Sequence, residues 1–246
     1  MFDKIIKFST EKEYLKEESL FPEPCKLNIP EWYKKLEHSA DSKTIKGCMP
    51  FLDTLTSGYL LKIPTDIFLS HNILENNERG TIMSSAMPNS NGPLYVNINH
   101  ENNPQVHPVD QLSKKCPFVH KNKSLPFHKI LNPWLIKTPP GYSCLFLPPM
   151  NNTDDRFSII PGIVDTDTFD MYINFPIIVN GDKYPILKTL LKKGTPYVQV
   201  IPFKRDSWKL KIREVDLKKM NNKRYFYNLD LVHNYKNKFW NKKSWK

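Results

Sequence analysis

Two aspartates separated by one residue are the clearest candidates for chemistry in this sequence. Asp165 and Asp167 follow a glycine and two β-branched residues in the segment 162–167, which has the sequence GIVDTD. A carboxylate can act as a general base when its neighbours hold a water molecule against the bond to be cleaved. Aspartates are also common in tight turns, where they accept hydrogen bonds from nearby backbone N–H groups. Both interpretations remain open at this point, and the turn is favoured.

The histidines and cysteines do not form a recognised metal or nucleophile motif. His107 and His128 lie in a stretch that we predict to be loop, together with His100 and His120, and none has the His-x-Asp or His-Glu-x-x-His spacing. Cys144 lies in a predicted buried strand, where apolar surroundings disfavour the thiolate. The sequence therefore predicts no metal site, no cofactor and no cysteine nucleophile.

Positive charge is concentrated at the C-terminal end of the chain. Residues 204–246 carry 14 Lys and Arg against 4 Asp and Glu, whereas the other 203 residues carry 22 basic and 21 acidic side chains. Aromatic residues are interleaved with this charge, as in proteins that stack bases and neutralise phosphates. A nucleic-acid partner bound through this tail is one interpretation. The favoured one is that the segment packs on its own domain or on a neighbouring subunit.

Length and cysteine usage restrict the class of protein. A chain of 246 residues can bury a sizeable core without a disulfide framework, and its four cysteines show no Cys-x-x-Cys spacing. The first residues lack the apolar core of a signal peptide, and no apolar run reaches the roughly 18 residues of a membrane span. We therefore expect a cytoplasmic protein with no membrane partner, located in the host cytoplasm or in the virion if a phage encodes it.

Short apolar segments separated by 21 prolines and 8 glycines predict an all-β sandwich or barrel. Residues 1–19 predict a strand followed by a helical turn, Pro30 predicts a short helix after it, and the polar segment 75–93 predicts a hairpin and loop. Further strands are predicted at 54–64, 67–69, 94–98, 134–137, 142–147, 158–160, 171–179, 197–203 and 208–212. We predict an extended arm with a short helix at 1–50, a β domain at 51–213 and a basic, aromatic, partly helical segment at 214–246.

Three segments, in the same order, resemble the dUTPase and dCTP-deaminase superfamily. They are Pro-Pro-Gly-Tyr at 139–142, Gly-Ile-Val-Asp at 162–165 and a glycine followed five residues later by glutamine at 194–199. The resemblance covers about residues 139–203 and implies a dUTPase-like (β-clip) barrel or sandwich. It also implies a homotrimer with pockets between chains, in which Asp165, with Asp167 beside it, meets a nucleotide and orients the attacking water. The ligand-binding candidates are then Tyr142, Asn174, Gln199 and Arg205.

Other parts of that superfamily's phosphate-binding apparatus are missing. Residues 148–152 are Pro-Pro-Met-Asn-Asn where an Arg-Ser-Ser segment is expected, and the chain has no glycine-rich tail containing arginine. The aromatic residue expected directly after Asp167 stands one place later, at Phe169. Because a triphosphate needs cationic or backbone donors, these departures favour a scaffold without the activity.

Over its whole length the sequence also resembles an uncharacterised family of phage and bacterial proteins, a domain of unknown function. The matching segments are IPEWY at 29–33, KGCMPFLD at 46–53, NPWLIKTPPGYS at 132–143 and IPFKR at 201–205. We therefore expect a non-enzymatic, self-associating β-domain protein, encoded by a phage or a bacterium, with a binding or assembly role. The alternative is a nucleotide-binding or nucleotide-hydrolysing enzyme of the dUTPase type, in which Asp165 positions water.

Overall fold

The computed structural model describes residues 4–39, 41–74, 80–85, 106–107, 111, 116–118, 125, 127–151, 154–228 and 234–246. The chain divides into two compact units. The first unit consists of Met1–Glu23 and Gly58–Lys204, and the second consists of Pro24–Ser57 and Arg205–Lys246. Two segments far apart in sequence therefore build the second unit.

The described part of the chain is mostly β, with antiparallel pairing and few helices. Its strands are β1 Lys7–Ser9, β2 Glu23–Pro24, β3 Tyr59–Lys62, β4 Ile67–Asn72, β5 Gly80–Ser85, β6 Val106–His107, β7 Phe127–Ile130, β8 Leu135–Lys137, β9 Tyr142–Leu147, β10 Phe157–Ile159, β11 Gly162–Val164, β12 Phe175–Val179, β13 Ile186–Leu191 and β14 Pro196–Lys204. Its helices are α1 Glu31–Lys35, α2 Met49–Thr56, α3 Leu217–Asn228 and α4 Asn234–Lys238. Short 3₁₀ helices include Tyr14–Lys16 and Ile45–Gly47.

The strands of the first unit form several antiparallel sheets. Neighbouring strands follow the order β11-β9-β14-β3 in one sheet, β10-β12-β7-β6 in a second and β13-β4-β5 in a third, while β1 pairs with β8. Apolar residues alternate along β4, so that Ile67 and Leu69 are buried while Phe68 is exposed. This period of two buries one face of each strand. The buried faces meet in one apolar cluster that includes Leu61, Phe146 and Val198.

A glycine allows the start of β3 to lie close to β14. Gly58 has φ +76°, and a Cβ atom added to it would lie 2.1 Å from the backbone oxygen of Val200. Only glycine adopts this conformation without steric cost and leaves room for the neighbouring backbone. Gly58 therefore helps to set the register between β3 and β14, which carries Gln199.

The second unit is held together by aromatic packing and by hydrogen bonds to one carboxylate. The rings of Tyr33, in α1, and Phe51, in α2, stack with centroids 5.7 Å apart. The indole nitrogen of Trp240 donates to both carboxylate oxygens of Asp53, at 3.2 and 3.1 Å, and Lys243 Nζ lies 2.6 Å from the same carboxylate. These contacts join the C-terminal segment to α2.

The predicted secondary structure is confirmed in most of its elements and corrected in others. β1 followed by a 3₁₀ turn, the helix after Pro30, and the strands at 142–147 and 197–203 are confirmed. The hairpin predicted within 75–93 is confirmed, since Gly80–Ser85 forms β5 and pairs antiparallel with β4. His107 and His128, in contrast, lie in strands β6 and β7 rather than in loop. The strand expected at 94–98 lies outside the described residues. No helix in the described part of the chain is both long and apolar enough to cross a membrane.

One predicted strand, at 208–212, pairs with no strand of the described residues. Residues 208–212 show the alternation of a strand, but residues 205–216 carry no regular secondary structure. We call residues 208–213 the arm from here on; this segment is distinct from the N-terminal arm predicted at 1–50. Within the described part of the chain, no neighbouring strand buries the apolar residues of the arm, which is the physical reason for the difference.

Candidate functional site

The tight turn before β9 and the turn after β11 lie side by side. Val164, at the end of β11, pairs with Cys144 in β9, so the residues that follow β11 meet those that precede β9. Gly141 has φ +83°, which favours glycine at this position. The backbone N–H of Gly141 donates to Oδ2 of Asp167 over 2.8 Å. The two sequence motifs are therefore one structural element.

Asp165 and Asp167 both make hydrogen bonds that stabilise these turns. Ser143 Oγ donates to Oδ1 of Asp165 over 2.6 Å, and the backbone oxygen of Asp165 accepts bonds from the N–H groups of Thr168 and Phe169 at 3.1 and 2.9 Å. These are contacts typical of turn residues. Asp165 is nevertheless exposed to solvent, so its carboxylate lies at the surface.

A buried hydroxyl pair lies beneath the two aspartates. The side chains of Thr138 and Thr166 are 2.7 Å apart, and Thr166 Oγ1 donates to Cys144 Sγ over 3.3 Å. Burial raises the pKa of the Cys144 thiol to about 11, although the Thr166 hydroxyl lowers it. The thiol is therefore protonated near neutral pH and is a poor nucleophile.

Lys137 contacts the turn after β11 directly. Its Nζ donates to the backbone oxygens of Asp167 and Phe169 over 3.3 and 3.2 Å and forms an ion pair with Asp170. The lysine therefore binds the carbonyl groups and a carboxylate of its own loop. It orders the loop after β11.

The four residues predicted to bind a ligand lie in several places rather than in one pocket. Tyr142 begins β9 next to Asp165, whereas Gln199 pairs with Leu147 at the other end of β9. At about 3.4 Å per residue, five residues of strand separate these two positions by roughly 17 Å. Asn174 precedes β12, in a different sheet, and Arg205 is an exposed residue after β14.

Gln199 and Asn174 have structural contacts. Gln199 is buried, and its Oε1 accepts the backbone N–H of Met150 over 2.8 Å. Asn174 Oδ1 accepts the N–H of Asn132 over 3.1 Å. The buried amide of Gln199 needs such a partner, and its bond ties the loop after β9 to β14. The bond of Asn174 joins the loop after β7 to the loop before β12.

A small polar cavity in the first unit was not expected from the sequence. Its volume is about 230 Å³, and its lining includes Asp154, Asp155, Asn180 and Tyr197. Hydrogen bonds from Arg156 lower the pKa of Asp154, and bonds from Lys183 and Tyr184 lower that of Asp155. Its carboxylates are therefore ionised and paired with cations.

The second unit contains a much larger groove. Its volume is about 1240 Å³, and Tyr33, Met49 and Trp240 lie in its wall. Lysines from both segments of the unit line it, namely Lys34, Lys35, Lys46, Lys236 and Lys242. Charge counting identified the basic tail, but the groove could not be predicted because most of its wall comes from residues 29–52.

The arm is the other feature that sequence reasoning described only in part. Trp208 is 90% exposed, Leu210 is 89% exposed and Ile212 is 87% exposed. Alternate positions hold Lys209, Lys211 and Arg213. The alternation was visible in the sequence, but the lack of a pairing strand was not.

No protein-family model matches the chain, and no curated protein matches it. Among solved structures, one match is a mutant dUTPase from phage phi11 of S. aureus, in a study of the coordination of a structural Mg(II) ion. The two chains are 14% identical, and the match covers 37% of this chain and 72% of that chain with a TM-score of 0.27. A likeness at this level carries no argument about function.

Proposed function

We propose that this is a non-enzymatic, self-associating β-domain protein, encoded by a phage or a bacterium, with a binding or assembly role. The observation that supports the proposal most is the arm. Three large apolar side chains, Trp208, Leu210 and Ile212, are each at least 87% exposed in a single chain. An exposed apolar segment of this kind marks a protein–protein contact.

The arm has the pattern of a strand that pairs with another chain. Its apolar and basic residues alternate, so an added strand would place Trp208, Leu210 and Ile212 on one face and the three cations on the other. Addition of an extended segment to a sheet edge is a common mode of association, because its backbone supplies hydrogen bonds and alternate side chains fill pockets. We propose that the arm pairs with a second copy of this chain.

The first unit offers a second apolar surface for burial in such an assembly. On the outer face of the β13-β4-β5 sheet, Phe68 and Leu190 are opposite one another in register and are 44% and 43% exposed. Ile186, also on β13, is 53% exposed. Contact across this face would remove apolar area from water at about 25 cal/mol per Å².

The assignment of the sheet to a particular fold type is also a proposal. We propose a dUTPase-like β-clip for the part of the sheet formed by β11, β9 and β14. The support is that the three segments carrying the sequence resemblance lie on neighbouring strands of one sheet. A homotrimer is the stoichiometry that this resemblance implies. The proposed location is the host cytoplasm or a virion assembled there, and the free state of all four cysteines fits that reducing compartment.

The experiment compares two triple variants in analytical ultracentrifugation. Trp208→Ser, Leu210→Ser and Ile212→Ser together remove the apolar face of the arm. Burial of each side chain is worth about 1.5–3 kcal/mol, so the dissociation constant should rise by at least roughly 100-fold. The matched control, Lys209→Ser with Lys211→Ser and Arg213→Ser, should change it by less than about fivefold. Equal effects of the two variants, or none, would contradict the proposal.

The alternative function is nucleotide binding or hydrolysis. The specific observation in its favour is that Asp165 is exposed at the surface next to Tyr142, at the junction of the two motif turns. Thermal unfolding with each dNTP tests this alternative, because a ligand that binds only the folded state must raise the melting temperature. A rise that Asp165→Asn abolishes would favour the alternative, and no rise with any dNTP would exclude it.

A further inference from the structure

We propose that the groove of the second unit binds single-stranded nucleic acid, with bases against its apolar wall and phosphates on its lysines. This binding site is separate from the arm and from the turns around Asp165, and it goes beyond the proposed self-association. The groove is built within one unit, from residues 29–52 and 236–242.

The charge of the groove fits a polyanion. Five lysines and a single glutamate, Glu37, are in its lining. Lys35, Lys236 and Lys242 are exposed and have no hydrogen-bond or ion-pair partner among the described residues. Such lysines can meet phosphate oxygens without first breaking a contact within the protein. These three lysines come from both segments of the second unit, so cations lie along more than one wall of the groove.

One further lysine is already fixed in position. Lys46 Nζ donates to the backbone oxygens of Lys34 and Leu36 over 2.8 and 2.7 Å. These bonds hold the ammonium group against the end of α1 and leave its charge in the groove. A cation whose side chain is already ordered loses less conformational entropy when a ligand binds.

The apolar part of the groove fits unpaired bases. Tyr33 is buried, and its hydroxyl donates to the backbone oxygen of Lys46 over 3.3 Å, so its ring is fixed in the wall. Trp240 is held by Asp53 through its indole nitrogen. Leu36, Leu52 and Trp240 are half-buried and give the wall its accessible apolar surface, whereas Tyr33 and Met49 are buried behind it. Aromatic and apolar surfaces bind the faces of bases with little dependence on sequence.

The size of the groove favours a polymer over a mononucleotide. Small-molecule pockets have volumes of about 300–1,000 Å³, and this groove has about 1240 Å³. A base-paired duplex would keep its bases stacked inside and could not use the apolar wall. A flexible single strand can place several phosphates and several bases in the groove at once.

Fluorescence anisotropy with a labelled 12-nucleotide oligo(dT) tests the proposal on the full chain. We expect binding that weakens with salt, because each neutralised phosphate contributes about −0.7 to the slope of log K against log salt for a single strand. A triple variant, Lys35→Gln with Lys236→Gln and Lys242→Gln, should reduce the affinity at least 10-fold and make the slope shallower by about 2.

The control is a charge-matched variant of the same unit. Lys218→Gln, Lys219→Gln and Lys223→Gln change three exposed lysines of α3, outside the groove, and should reduce the affinity less than threefold. A duplex of the same sequence and dTTP serve as competitors and should compete at least 10-fold less well than unlabelled oligo(dT). Equal losses in the two variants, a duplex or dTTP that competes as well as oligo(dT), or no anisotropy change would each overturn the proposal. Repeating the assay with the serine variant of the arm separates this site from self-association.

Discussion

Acidification should destabilise the first unit through a buried histidine in β4. His71 is 1% exposed, its Nδ1 lies 2.6 Å from Thr81 Oγ1, and its Nε2 is buried without a hydrogen-bond partner in the described residues. Burial lowers its pKa from 6.5 to about 4. A protonated ring would place a charge, and an N–H group with no acceptor, inside the sheet.

The direction and size of the effect follow from linkage. The unfolded chain binds a proton at His71 below about pH 6.5, whereas the folded chain does so only near pH 4. The contribution to stability is therefore complete above pH 6.5 and is lost as the pH falls towards 4. The difference between these pKa values corresponds to roughly 3 kcal/mol, and allowance for solvent screening leaves about 2 kcal/mol between pH 7 and pH 4.5.

Urea unfolding at pH 7 and pH 4.5, followed by circular dichroism, measures this contribution. His71→Gln removes the titrating ring and keeps a group that can bond to Thr81 Oγ1. Between pH 7 and pH 4.5, the free energy of unfolding of His71→Gln should fall by about 2 kcal/mol less than that of the wild type. His107→Gln, which removes a half-exposed histidine in β6, should behave like the wild type. An equal loss of stability in His71→Gln and in the wild type would refute the reasoning.

Two further substitutions test how loops and strands of the first unit are held. Gly58→Ala should destabilise the protein by roughly 2–4 kcal/mol in urea unfolding, since its Cβ would meet Val200 O at 2.1 Å. The control is Gly80→Ala, whose Cβ would meet nothing within 4 Å and which should cost less than about 1 kcal/mol. Similar costs for the two variants would show that the close approach of Gly58 to β14 is not needed. Asn132→Ala should cost about 2–3 kcal/mol, because the buried Asn132 side chain bonds both the N–H and the C=O of Trp134; a cost below about 0.5 kcal/mol would mean that water replaces these bonds.

The sequence predicts local elements in this chain better than it predicts their partners. Alternation and turn residues were enough to place β9 and β14, because these signals are carried by neighbouring residues. The same alternation at 208–212 predicted a strand but could not show that no strand of the described chain pairs with it. Pairing depends on residues distant in sequence, which a single sequence does not specify.

The candidate sites, too, were predictable only where residues close in sequence specify them. The resemblance to the dUTPase superfamily grouped Asp165 with Tyr142, and the two lie close together because their motifs fall on the adjacent strands β11 and β9. It also placed Gln199 in the same site, although Gln199 lies at the opposite end of β9. The groove combines residues about 200 positions apart, and its apolar wall depends on the bond between Trp240 and Asp53. No local pattern reports such a contact.

The mass of the intact chain in solution is the most direct test of the central claim, that the exposed arm makes this a self-associating protein. Light scattering coupled to size exclusion, from about 1 to 100 μM, should give a mass that is a multiple of the 28.9 kDa of one chain, with three copies as the expected number. The serine variant of the arm should shift this distribution towards one copy. A mass of 28.9 kDa for the wild type throughout this range would contradict the claim.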